Sequence, residues 1–532
     1  MRAQGGLSHL REITGWLTPR RAHGLLALLC TLALAAGAVE AIDDAPTIDE
    51  PVYVSAGVAS LVRHDLRLNT QHPPLAKALA ALPVLLAGPV LPAGRVWARA
   101  HDRPYARAFL VAARRAGNLR TITRLARIVP LLALALAAIV IFLLGTRLGG
   151  EAAGLFAAAL WLADPLVLGI GHVDGIDVPF ALATLATVLA VVRWQERPST
   201  QRLLVVGAAC AAAVTVRDTG PLVALAAVGV IAWRSRSLRT TVTAAAAALG
   251  GVWLVYLALD PAYTLSHLSL LPQRYLDGLG ALRAAHAGEA PAFLLGHQWY
   301  GGRWWFWPAT LLVKLPITLI VAFVAVPLGL RAVEAPRRGH VLAIAVPAVI
   351  ALTVFTIASP VDFGARYLLA VVALLCVLAA PLARYARGAA AIVVVSAAFA
   401  VASVPHSIAW VAPPFGPSYD AGAAANSDWG QDVWRLQDWA RGRHAWIACY
   451  EQPGGGCVED VPGARRLHHD TPRSAVHGWV ALSASLRDLH GYDPWLRALR
   501  PVGSIGGTEL LYRVPREAQP DRHAIGHPGI MH

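Results

Sequence analysis

The chain has 532 residues, 56% hydrophobic and only 15% charged. That excludes an ordinary soluble protein, in which about a quarter of residues carry charge. The formal net charge is +14, but arginine recurs in the short loops between apolar blocks, which points to the positive-inside effect rather than to nucleic acid.

The first apolar block, Ala22–Ile42, follows Arg20 and Arg21 and reads as an uncleaved anchor. A long polar stretch, 43–125, comes next. Within it, Leu75–Leu91 is apolar but broken by Pro83 and Pro89, and is expected to lie at the membrane interface. Further spans are expected at Ala126–Leu144, Ala152–Ile170, Val178–Val192, Leu203–Val216, Leu222–Trp233 and Val242–Leu259. A second polar loop, 260–303, precedes Trp305–Leu330, Val341–Ile357, Tyr367–Leu382 and Ala389–Val404. The expected fold class is therefore mainly α: a polytopic membrane helical bundle of about eleven spans.

Arginines at 147, 193, 197, 202, 234, 236, 239, 331, 337, 338, 384 and 387 mark one set of short turns as cytoplasmic. The N-terminus then lies inside. Both long loops and the C-terminal region lie outside, in a cell or inner membrane. The expected organisation is a membrane catalytic module over 1–405, a small extracytoplasmic α/β domain over 406–515, and a disordered tail over 516–532. In the α/β region, Asp432–Arg441 reads as a helix. Ala445–Tyr450 and Gly478–Leu482 read as strands, and Val502–Ile505 and Leu510–Val514 read as a hairpin around Gly506 and Gly507. Cys30, Cys210 and Cys376 fall in apolar blocks. Cys449 and Cys457 flank a glycine-rich turn and can form a disulfide in an oxidising compartment.

The residues with chemical potential sit in the outer segments. Asp49 and Glu50 form an acidic pair just beyond the first span, followed by His72-Pro73-Pro74-Leu75 and Lys77. A carboxylate there can take a proton from a hydroxyl, and a lysine can neutralise a phosphate. A solvated acidic loop with a snorkelling lysine is equally compatible. His172 and Asp177 lie in a short outer turn, where Asp177 can cap a helix or supply a second carboxylate. Only two of the 46 basic residues are lysines, Lys77 and Lys314. Lys314 lies in an apolar block, where a charge needs protein, water or an anion beside it. Arg366, in Phe363-Gly364-Ala365-Arg366-Tyr367, enters a span from outside and invites the same readings. Arg217 and Asp218 are adjacent and can pair with each other. Trp304 belongs to an aromatic run, 299–307, that reads as an interfacial belt or as a wall stacking on a sugar or an isoprenoid chain. No P-loop, HExxH or paired CxxC is present.

Taken together, Asp49-Glu50, His72-Pro73-Pro74-Leu75 with Lys77, Asp177-Val178-Pro179, Val313-Lys314-Leu315-Pro316, Phe363-Gly364-Ala365-Arg366-Tyr367 and Asn426-Ser427-Asp428-Trp429-Gly430-Gln431-Asp432 resemble the lipid-carrier-dependent GT-C glycosyltransferases. The likeness is to the protein O-mannosyltransferase and aminoarabinose transferase group (glycosyltransferase family 39-like). The resemblance implies an inverting transfer from a polyprenyl-phosphate-linked sugar to a protein, lipid or glycan hydroxyl on the outer face. It implies Asp49 as base, with Glu50 and Asp177 orienting substrates. Lys77, Lys314 and Arg366 would hold the donor phosphate, and His72, His172 and Trp304 would contact substrate. No cofactor or metal is called for, since basic residues can do a metal's electrostatic work, and membrane lipids are the remaining partners. Phe363 to Ala370 departs from the family pattern by lacking a proline after its leucines. A transporter or flippase of lipid-linked sugars is the alternative, and inverted repeats, its usual mark, are not evident.

Overall fold

The computed structural model describes residues 18–287, 290–423, 426–451, 454–492 and 494–515. The expected tail 516–532 lies outside the described residues. The chain is mainly helical and is a multi-pass membrane protein. Among the described residues, seven helices are long and apolar enough to cross a bilayer: Pro19–Asp43 (α1), Leu119–Gly149, Asp177–Glu196, Leu238–Leu259, Ala335–Ala358, Ala365–Arg384 and Ala386–Ser403. The pair Glu151–Leu162 and Pro165–Gly171, bent by 65°, brings the number to eight if it counts as one span.

That is fewer than the eleven apolar blocks. Thr200–Val216 and Gly220–Ser235 are helices of 17 and 16 residues. They are shorter than the seven, yet Thr200–Val216 runs between the same two ends as Asp177–Glu196: Arg202 donates to the Arg193 carbonyl at one end and Arg217 to Asp177 at the other. The block 305–330 is cut into Phe306–Lys314, Ile317–Val324 and Val326–Leu330. Pro316 has no N–H to continue a helix and pushes Leu315 into an extended conformation. Leu75–Val84 is a ten-residue helix continued by one tight turn to Ala87, too short to span.

Between α1 and the next span runs the first polar loop, which begins with helix α2 (Glu50–Arg63) and folds back through Leu75–Val84 (α3) and Asp102–Arg115. The spans pack closely through small residues. A Cβ placed on Gly145 would come within 2.9 Å of the Gly154 backbone, so those two helices approach nearer than side chains would allow. The apolar outer faces remain exposed, as lipid-facing surfaces must.

The polar C-terminal region forms a five-stranded mixed sheet in the order Arg465–Arg466 (β4), Trp446–Ala448 (β3), Gly478–Ser483 (β5), Glu509–Val514 (β7) and Gly503–Ile505 (β6). A separate hairpin, β1 (Pro291–Leu294) and β2 (His297–Tyr300), belongs to the second polar loop. In the main sheet, β3 (Trp446–Ala448) runs parallel to β4 (Arg465–Arg466) and to β5 (Gly478–Ser483). β5 pairs antiparallel with β7 (Glu509–Val514), which pairs with β6 (Gly503–Ile505). The helix Val433–Ala440 and the strands β3, β5, β6 and β7 form where the sequence pattern anticipates them, whereas the two-residue β4 carries no such pattern. Cys449 and Cys457 are joined in a disulfide, while Cys30, Cys210 and Cys376 are free and buried. The first polar loop braces this region: Arg114 donates to the Gly454 carbonyl at 2.8 Å and pairs with Asp460 at 3.3 Å.

Candidate active site

Asp49 precedes the first turn of α2, with Pro51 stiffening the entry. Its carboxylate accepts a hydrogen bond from Arg366 Nη2 at 2.9 Å. Arg366 lies at the start of the span 365–384, where Gly364 turns the chain inward with φ 148°. Its other terminal nitrogen points to Asp177 Oδ2 at 3.4 Å. Asp177, on the first turn of its span, accepts a shorter bond from Arg217 Nη1 at 2.6 Å. The result is an alternating row, Asp49–Arg366–Asp177–Arg217. The expected local pair Arg217–Asp218 does not form, because Asp177 takes the guanidinium. The guanidinium carbon of Arg366 also sits 4.2 Å from the ring centre of Trp429.

The first two members of this row, Asp49 and Arg366, edge a cavity of about 440 Å³. Asp49, His72, Arg366, Tyr53 and Tyr367 line it from the first polar loop and the start of the span 365–384, with Asp102 and Arg103 beside them. Asp218 and His286 close one side, and Trp429 and Tyr450 reach in from the C-terminal region. The side chain of Asp49 is 30% exposed, whereas those of Asp177 and Glu50 are 1% and 3% exposed. Of the three carboxylates, Asp49 alone has room to meet a substrate. His72 Nδ1 lies 4.0 Å from Asp218. Burial, with Lys77, Arg217 and Arg366 nearby, holds the His72 imidazole well below its ordinary value, hence neutral. Burial raises the Asp218 carboxyl and lowers the His286 imidazole.

Other candidates face elsewhere. Glu50 is buried against Arg127, with contacts of 2.8 and 2.7 Å. It also accepts from the backbone N–H of Thr47 at 2.7 Å and of Asp174 at 2.8 Å. With its oxygens committed, Glu50 fixes the loop beside Asp49 and does not line the cavity. Lys77 donates to the Asn69 carbonyl and side chain at 2.7 and 3.0 Å and to the His72 carbonyl at 2.6 Å. All three ammonium protons are used inside the loop. Lys314 donates to the carbonyls of Ile408, at 3.0 Å, and Trp410, bracing the segment after the last span. His172 is enclosed by Glu40 at 3.0 Å and Asp44 at 2.9 Å. Trp304 is 70% exposed, as an interfacial belt residue would be. The structure thus brings Asp49, Arg366 and His72 into the cavity lining with Asp177 behind Arg366, and leaves Glu50, Lys77, Lys314, His172 and Trp304 outside it.

Nothing in the sequence marks Arg103, Asp218, His286, Trp429 and Tyr450 together as site residues. Only the segment containing Trp429 carried a signal, as part of the Asn426–Asp432 motif. The others reach the cavity through tertiary contacts alone.

Residues 121–258 match the family model described as dolichyl-phosphate-mannose-protein mannosyltransferase. A search of curated proteins finds no match. Among solved structures, ArnT from Cupriavidus metallidurans in the apo state superposes with a TM-score of 0.47 at 16% identity, over 78% of this chain and 68% of that one. The same protein bound to undecaprenyl phosphate gives 0.46 at 15%, over 78% and 68%. The Archaeoglobus fulgidus oligosaccharyltransferase in the apo form gives 0.46 at 13%, over 85% and 65%. Over residues 121–258 the chain is thus similar to the dolichyl-phosphate-mannose-protein mannosyltransferase family.

Proposed function

We propose that this chain is a membrane glycosyltransferase that moves a sugar from a polyprenyl-phosphate carrier to an acceptor hydroxyl. The observation that carries the reading is the partly exposed carboxylate of Asp49, held by Arg366 at the wall of the cavity. The carrier class follows the dolichyl-phosphate donor named in the matched family.

In the proposed reaction Asp49 accepts the proton of the acceptor hydroxyl. The hydroxyl oxygen bonds to the anomeric carbon from the face opposite the phosphate, so the anomeric centre inverts. The bond from that carbon to the phosphate oxygen breaks, and polyprenyl phosphate leaves with the electron pair. Arg366 and Arg103, both on the cavity wall, stabilise the charge that grows on the leaving phosphate. Asp177 and Arg217 hold Arg366 in register from behind. Lys77, Lys314 and Glu50 serve the reaction through the loops they brace.

The extracytoplasmic face is the proposed side of transfer. Asp177 opens its span at the cavity, and Arg193 and Arg197 mark the opposite end. Arg147 and Glu196 pair at 3.0 Å at that same far end, and Arg337 reaches the Leu148 carbonyl there. Arginine at that end favours the cytoplasm, which supports an outer position for the cavity. In this proposal 1–405 form the catalytic module in the inner or plasma membrane, and 406–515 form an extracytoplasmic domain.

The test is transfer of labelled sugar from a polyprenyl-phosphate donor in membranes containing the protein, followed by product analysis. A new glycosidic bond supports transfer. Movement of intact lipid-linked sugar across the bilayer without a new bond points to a transporter instead.

A further inference from the structure

The turn 426–431 has no part in the chemistry above, yet nearly every polar group in it is committed. Gln431 staples it from within: its side-chain oxygen accepts from the Trp429 N–H at 2.8 Å, and its side-chain nitrogen donates to the Ser427 carbonyl at 2.9 Å. Gly430 has φ +91°, and a Cβ there would lie 2.3 Å from the Tyr450 carbonyl oxygen, so only glycine fits. Asp428 welds the turn to the end of β5. It accepts from Ser483 Oγ at 2.5 Å and the Ser485 N–H at 2.8 Å, while Ser485 Oγ donates to its carbonyl at 2.7 Å. The turn is therefore a rigid outgrowth of the C-terminal sheet.

It grips two remote segments. The Trp429 carbonyl accepts from the Ile48 N–H at 3.0 Å, and the Gln431 carbonyl from the Ala45 N–H at 2.8 Å. Those bonds fix the chain that delivers Asp49. The Asn426 side-chain oxygen accepts from the Ala365 N–H at 2.9 Å and from Thr310 Oγ1 at 3.3 Å. That bond fixes the chain that delivers Arg366, whose guanidinium lies over the Trp429 ring.

We infer that the turn 426–431 is a clip that sets the register of Asp49 against Arg366, with Asn426 and Trp429 as positioning residues for the transfer reaction. This inference rests on the glycosyltransferase reading. It makes the C-terminal region a working part of the site. Without the clip, two partners that approach from different elements lose their common reference, and a displacement of about 1 Å can cost a hundredfold in rate.

Two measurements on the full-length protein in lipid nanodiscs test it. In hydrogen–deuterium exchange, Asn426→Ala is expected to speed exchange of the peptide carrying Ala365 by roughly fivefold, the worth of one hydrogen bond, with peptides from β5 unchanged. This arm needs no activity. In kinetics with a labelled polyprenyl-phosphate sugar, Trp429→Ala is expected to lower kcat roughly 10- to 100-fold with donor KM within about twofold. Trp429→Phe, which keeps a ring face, restores most of the rate, and Trp429→Ala adds no further loss in an Arg366→Ala background. Equal losses in both backgrounds, or unchanged exchange at Ala365 in Asn426→Ala, overturn the clip. Should Trp429→Ala not fold, Trp429→Phe and Asn426→Ala decide the matter by the same two readouts. If the wild-type protein forms no product, the glycosyltransferase reading fails, and the exchange arm still reports whether the turn holds the Arg366 segment.

Discussion

The guanidinium of Arg366 lies 2.9 Å from the carboxylate of Asp49, although 317 positions separate them in the chain. Asp49 comes from the loop after the first span and Arg366 from the start of a late one. The pair forms only when the whole bundle and the C-terminal region are assembled. Its second contact, to Asp177 at 3.4 Å, makes Arg366 a bridge between two carboxylates.

Arg366→Lys is therefore expected to behave as a loss of function. A lysine ammonium is a point charge and cannot reproduce a planar fork aimed at two carboxylates. Transfer efficiency should fall roughly 10²- to 10³-fold, with Arg366→Ala no better. Initial rates with labelled donor measure this, and a lysine variant close to wild type would remove the bridging role.

Glu50 and Arg127 should report on stability rather than chemistry. Their side chains are 3% and 0% exposed, so removing one partner strands a buried charge. Arg127→Met is expected to cost about 3–5 kcal/mol, seen as a lower midpoint in thermal unfolding of the detergent-solubilised protein. In the fraction that stays folded, kcat should remain within about threefold of wild type. A normal midpoint with abolished transfer would return Glu50 to the reaction.

The C-terminal sheet should lose stability as pH rises. Glu509 is fully buried on β7, and among the described residues neither carboxylate oxygen has a hydrogen-bond partner. Burial, with Asp428, Asp432 and Glu451 nearby, pushes it well above its ordinary 4.5. Burial also lifts Asp428 to about 6 and Glu451 to about 7. Each folded-state value is raised, so the unfolded chain releases these protons first. Their contribution is complete below the ordinary carboxyl range and is lost as pH climbs through the folded values. Glu509→Gln should flatten that decline and raise the midpoint at pH 8 by about 2–4 °C, with little change at pH 4. Parallel pH profiles for the variant and wild type would contradict it.

Much of this architecture is legible in the sequence because bilayer thickness writes itself into apolar length. The difference between eleven apolar blocks and seven or eight long apolar helices has a local cause in Pro316 and in two helices of 16 and 17 residues. The tail strands are readable from alternation and from the Gly506-Gly507 turn. At the site, Asp49, Asp177, Arg366 and His72 stand out as charges or ring nitrogens at span ends. The rarity of lysine misdirects: Lys77 and Lys314 turn inward to backbone carbonyls, and no local pattern says which way an ammonium points. Arg217 pairs with Asp177, 40 positions away, rather than with its neighbour. Arg103, Asp218, His286 and Tyr450 become site residues only through folding. The Asn426–Asp432 motif is visible as a pattern, but its grip on residues 45, 48 and 365 is not.

The most direct measurement is sugar transfer by Asp49→Asn, assayed with labelled polyprenyl-phosphate sugar in membranes alongside donor binding by the same preparation. Asparagine keeps the size of the side chain and cannot take the acceptor's proton. Transfer is expected to fall roughly 10²- to 10⁴-fold while the donor still binds. Undiminished transfer by Asp49→Asn would contradict the assignment of this carboxylate as the base.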